Sequence, residues 1–108
     1  MENMIEIILN DINYSKTAKN KDIIRNILEK NKNIIKTWDK VPTLIDKIEH
    51  MTGFVSISNS NDLIKISYKN NKISKNIEKE FHTVVRKWAE KYKIDLDYDY
   101  KKDQYYLS

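Results

Sequence analysis

Three aspartates at alternate positions, Asp95, Asp97 and Asp99, begin like a calcium-binding loop of the form D-x-D-x-D. The remainder of such a loop is missing: its sixth position holds Tyr100 where a tight turn needs glycine, and its twelfth holds Tyr106 where a bidentate glutamate belongs. On a strand, alternate side chains stand about 7 Å apart, too far for neighbouring carboxylates to share one ion. The run is therefore expected to form an acidic strand face, either solvated or presented to a basic partner. Tyr98, Tyr100, Tyr105 and Tyr106 accompany it; such rings stack bases in some sheets, but on a small hairpin they more often seal the core while their hydroxyls reach water. As a protein-binding surface the set is Asp95, Asp97, Asp99, Tyr98, Tyr100 and Tyr105.

Catalytic chemistry has few other places to reside. A single glycine excludes a phosphate-cradling loop, a nucleophile elbow and a dinucleotide fingerprint. Without cysteine there is no disulfide framework, thiolate zinc site or cysteine nucleophile, which fits a reducing, cytoplasmic setting. His50 and His82 fall near the ends of different helices and are expected to be partly exposed and inert. No catalytic residue, metal or cofactor is expected, so the chain is read as a non-enzyme.

A second constellation is basic. In "GFVSISNSNDLIKISYKNNK", residues 53 to 72, a β-hairpin would expose serine and lysine on one face, and phosphate contacts use this mixture of lysines and small donors. The nucleic-acid-binding residues expected on this basis are Lys65, Ser67, Lys69, Asn70, Lys72 and Lys75, joined by Lys19, Lys21 and Arg25 from an upstream helix. The overall charge of +4 is weak support, because eighteen of the twenty basic residues are lysine. Lys, Asn and Ile all have A/T-rich codons and make up 47 of 108 residues, so base composition alone could produce the bias. Distribution says more: residues 15–47 and 65–93 are net basic, whereas 1–14, 48–64 and 94–108 are net acidic.

The elements that must hold these groups follow from periodicity. Met4, Ile5, Ile8, Leu9 and Ile12 predict a first helix, although Ile5, Ile7 and Leu9 also alternate as in a strand. A second helix begins at Asn20, carries Ile23, Ile24, Ile27, Leu28, Ile34, Ile35 and Trp38 on one stripe, and breaks at Val41-Pro42. Thr43 with Asp46 then caps a short third helix that Gly53 ends. In the hairpin, pairing Ser58 with Leu63 across Asn59-Ser60-Asn61-Asp62 puts Val55, Ile57, Ile64, Ile66 and Tyr68 on a buried face. The same register leaves Ser56, Ser58, Lys65, Ser67 and Lys69 exposed, with Phe54 at their edge, and sets Tyr68 opposite Gly53. Ser74 caps a long helix bearing Ile73, Ile77, Phe81, Val84, Val85, Trp88 and Tyr92, and a terminal hairpin turns near Lys101-Lys102-Asp103. The expectation is a single α+β domain: three helices, hairpin, helix, hairpin.

Over residues 18 to 69 the order of helix, break, short helix and hairpin resembles that of a winged helix-turn-helix, in order of elements and without a diagnostic motif. The third helix exposes Asp46, Lys47, Glu49 and His50, a poor surface for a major groove, so binding would rest on the hairpin and the basic helix. The leading expectation is a DNA-binding accessory protein of a phage or plasmid, with room for a homodimer through the N-terminal apolar segment. The alternative is a small phage-type inhibitor that binds and blocks a host or defence protein through the acidic hairpin. No apolar run approaches a membrane span, and the acidic start is unlike a signal peptide.

Overall fold

The computed structural model describes residues 2–58, 61–69 and 74–108. Four helices come first, α1 (Glu2–Asp11), α2 (Ala18–Lys30), α3 (Asn33–Thr37) and α4 (Val41–Ile48), followed by β1 (Gly53–Ser58) and β2 (Leu63–Tyr68). Then come α5 (Lys75–Tyr92), β3 (Leu96–Asp99) and β4 (Gln104–Leu107), giving the α+β order expected. The first segment is helical because Ile5, Ile8 and Leu9 bury one stripe, while Ile7, which a strand would have buried, is 49% exposed. None of the described helices is long and apolar enough to cross a membrane.

The helix boundaries differ from expectation. α2 starts three residues early, at an N-cap Thr17 whose hydroxyl accepts the Asn20 N–H at 3.1 Å; the Asn20 side chain instead donates to the Ser15 carbonyl. The long second helix is cut at Asn31, where the backbone N–H and Nδ2 both donate to the Ile27 carbonyl. The expected break at Val41-Pro42 is absent. A 3-10 turn at Trp38–Lys40 runs into α4, and Val41 itself is helical (φ −69°, ψ −42°) despite preceding proline. Pro42 sits in the first turn, where its missing N–H is not needed, and complete burial of Val41 opposes the steric preference of a pre-proline residue. Thr43 is thus inside the helix and caps nothing.

Gly53 does not end that helix. Thr52 takes the left-handed conformation (φ 60°, ψ 19°), and Gly53 is the first residue of β1. Close approach is what demands glycine here: a Cβ would lie 2.7 Å from Ile48 Cβ and 2.9 Å from the Ile48 carbonyl oxygen. Thr52 closes the base of the hairpin, accepting the Lys69 N–H at 3.0 Å. Gly53→Ala is expected to push β1 off α4 and cost about 1–3 kcal/mol, read as a lower urea midpoint at unchanged slope.

The β1–β2 register is as expected, from Gly53 opposite Tyr68 to Ser58 opposite Leu63. What the hairpins do next is new: β4 pairs with both β2 and β3, merging them into one antiparallel sheet of order β1-β2-β4-β3. Two rows cross all four strands on the inner face, Val55, Ile66, Tyr105, Tyr98 and Ile57, Ile64, Leu107, Leu96. Against them lie Phe81, Val85 and Trp88 of α5 with the stripes of α1, α2 and α4, forming one core cluster. α5 is capped by the Ser74 hydroxyl as expected, but Ile77 on its stripe is 38% exposed. Asn59, Ser60, Asn70, Asn71, Lys72 and Ile73, which figured in the expectations above, lie outside the described residues.

Candidate functional site

One row of the outer face brings the two expected sites together. Ser56, Lys65, Tyr106 and Asp97 stand side by side on β1, β2, β4 and β3. Lys65 and Asp97 are therefore two strands apart, about 10 Å at ordinary strand spacing. The serine-lysine face is less wet than the sequence suggests: Ser58 and Ser67 are buried, the latter on the inner strand β2 opposite Phe54. Tyr106 is buried as well, its hydroxyl accepting from Gln104 Nε2 at 2.7 Å and donating to Asp99.

Acids occupy part of the basic set. Lys21 pairs with Glu2 at 3.2 Å, and Arg25 pairs with both Glu2 and Asp22, so the acids of α1 and α2 occupy the cations of the basic helix. Lys19, Lys69 and Lys75 are exposed and, like Lys65, make no ion pair among the described residues. Lys65 is half-buried with its ammonium 5.9 Å from the Phe54 ring centroid.

In the terminal hairpin the aspartates and tyrosines separate by role. Asp95 and Asp97 are exposed, and β3 is an edge strand, where charge discourages unwanted strand pairing. Asp99 accepts the backbone N–H groups of Lys102 and Lys101, which with the Tyr106 hydroxyl hold its carboxyl below the usual range despite some desolvation. Tyr100 is 87% exposed at the turn, its ring edge-on to Tyr98 at 5.0 Å between centroids. Tyr105 is not a surface residue; it is 3% exposed and belongs to the core.

Behind this surface lies a cage that sequence reasoning missed. Asp103 occupies the left-handed region (φ 52°) in the β3–β4 turn and accepts from the hydroxyls of Tyr68 and Tyr98. His82, midway along α5 and not near its end, places Nε2 3.2 Å from Asp103 Oδ1 and Nδ1 2.7 Å from the Tyr105 hydroxyl. Arg86 Nε donates to that hydroxyl at 3.1 Å. Burial pushes the Asp103 carboxyl up, but the Tyr68 and Tyr98 hydroxyls and His82 outweigh it, leaving a net depression. The same contacts act oppositely on the donors: the bond to Asp103, then burial, lifts Tyr98 to about 12, while burial and then Asp103 raise Tyr68 further. A phenol that donates to a carboxylate resists ionisation, so the cage is one fixed network.

Tyr68 and Asp103 are 35 positions apart, and His82 and Tyr105 are 23 apart, so no local spacing announces the cage. One available signal was the segment Tyr105-Tyr106-Leu107, apolar at both parities, which marks a strand buried on both faces, as β4 is. Comparison with protein-family models, curated proteins and solved structures finds no match to this chain.

Proposed function

We propose that this is a non-catalytic protein-binding module that meets a basic partner surface with its β3–β4 hairpin. Tyr100 carries the reading: it is the most exposed large hydrophobic among the described residues, and the Tyr98 ring beneath it is fixed by Asp103. Interfaces concentrate their energy in such tyrosines, and a pre-positioned ring loses little freedom on binding. Exposed Asp95 and Asp97 on the neighbouring edge strand supply complementary charge and steering. A small inhibitor that blocks another protein would need nothing more than this surface.

A second reading, phosphate contacts to DNA, draws on the free Lys19, Lys65, Lys69 and Lys75. Against it weigh the ion pairs that occupy Lys21 and Arg25 and the placement of Lys65 in a row that ends in Asp97. Quantitative capture with the immobilised protein, run beside fluorescence anisotropy on labelled DNA at two salt concentrations, separates the two. The expected result is a partner whose capture weakens roughly thirtyfold with Tyr100→Ala, falls again with Asp97→Lys, and is indifferent to Lys65→Glu, Lys69→Glu and Lys75→Glu. Salt-sensitive DNA binding that disappears in the lysine variants would replace this reading with the second.

A further inference from the structure

We propose that Glu78, His82 and Asp103 form a binding site for a divalent transition-metal ion of the zinc class. Glu78 and His82 are four residues apart on α5 and so project from the same side of the helix, while the β3–β4 turn delivers Asp103 to them. One ligand atom from each lies within 4.8 Å of the other two. His82 Nε2 and Asp103 Oδ1 are 3.2 Å apart, close to the separation of about 3.3 Å between two ligands held about 2.0–2.1 Å from a tetrahedral ion. Closing the third corner takes a side-chain adjustment of Glu78 and leaves the fourth for water or a partner's side chain.

The surroundings match what such a site requires. A ligating histidine presents one ring nitrogen to the metal and gives its other N–H to an oxygen. Here the Tyr105 hydroxyl stands 2.7 Å from Nδ1, and Arg86 fixes that hydroxyl from behind, so Nε2 is the nitrogen turned toward the carboxylates. Asp103 is oriented in turn by Tyr68 and Tyr98. Two carboxylates meet in a half-buried place, where a divalent cation would neutralise both. An imidazole with two carboxylates favours zinc-like ions over calcium or magnesium, which take oxygen ligands. An open cleft of about 410 Å³ lined by Lys79, His82, Thr83, Arg86 and Tyr98 lies beside the histidine. The site does not depend on the docking role proposed for the hairpin, although occupancy would brace the turn that carries Tyr100.

The test uses the untagged full chain with zinc, calcium and magnesium chlorides in separate calorimetric titrations. Nitrogen-15 spectra of the two imidazoles identify the residue that binds. The expected result is one zinc per chain, no response to calcium or magnesium, a large shift of the His82 Nε2 resonance, and affinity at least about tenfold weaker in Glu78→Gln, with His50→Gln unchanged. Glu78→Gln leaves the packed core untouched, and the spectra of the unaltered protein report on His82 even if that variant misfolds. No zinc heat, or zinc that shifts His50 and leaves His82 in place, would overturn the proposal.

Discussion

Replacing Trp88 by alanine is expected to lower stability by about 3–5 kcal/mol, a large share of the roughly 5–15 kcal/mol available to a domain of this size. The indole is 2% exposed in the central cluster, and its Nε1 donates to the Lys40 carbonyl at 2.9 Å. It thereby joins the long helix to the 3-10 turn that leads into α4. Alanine leaves a cavity between these elements and removes that hydrogen bond at once. Trp88→Phe separates the two losses: much of the ring volume is kept, and losing the hydrogen bond should cost about 0.5–1.5 kcal/mol. Urea denaturation followed by circular dichroism reads both, and a fall under 1 kcal/mol for alanine would mean that the α4–α5 junction is not cooperative with the core.

The carboxylate of Asp103 is the second position of large effect. Its side chain is partly buried and receives two phenolic hydroxyls and His82, so its loss should cost about 2–4 kcal/mol. The left-handed backbone at this position confounds a simple alanine test, because alanine tolerates that conformation less well than aspartate does. Asp103→Gly relieves the backbone while deleting the whole side chain, whereas Asp103→Asn suits the turn and keeps one acceptor. The expected order of stability is therefore wild type, then asparagine, then glycine, with alanine lowest. Dependence on pH follows the same contacts. A carboxyl depressed by folding contributes stability that is present above its unfolded value near 4 and is lost as pH falls through its lower folded value. A phenol raised by folding behaves in the opposite sense: the Tyr98 contribution is complete below about pH 10 and is lost as pH climbs through about 12. Asp103→Asn should flatten both limbs of the melting temperature plotted against pH; two unchanged limbs would show that the cage is not coupled to folding.

Local periodicity carried the reading of this chain wherever contacts are local. The β1–β2 register was legible because Val55 and Ile57 match Ile64 and Ile66 on one face while Ser56 meets Lys65 on the other. The α5 stripe and the Ser74 cap were legible for the same reason, since both repeat within a few residues. The break at Asn31 was misread because its capping amide ends the helix within a continuous apolar stripe, and the helical Val41 because its burial outweighed the local rule for proline. The pairing of β2 with β4 was beyond local pattern altogether. Without that pairing, Lys65 and Asp97 looked like rival sites instead of members of one row, and Asp103 looked like a turn residue instead of the centre of the cage.

The sheet order has a consequence for how the protein comes into being. A ribosome makes β1, β2, α5 and β3 before it makes the strand that lies between two of them. Until Gln104–Leu107 emerges, β2 carries an open edge beside the buried-face residues Ile64 and Ile66, and β3 has no partner in the sheet. Until that strand pairs, the sheet is an unfinished hairpin with an open edge, the kind of state in which aggregation competes with folding. Four residues, Gln104–Leu107, close the sheet on both sides at once, so whatever slows their pairing prolongs the state in which the β2 edge is open.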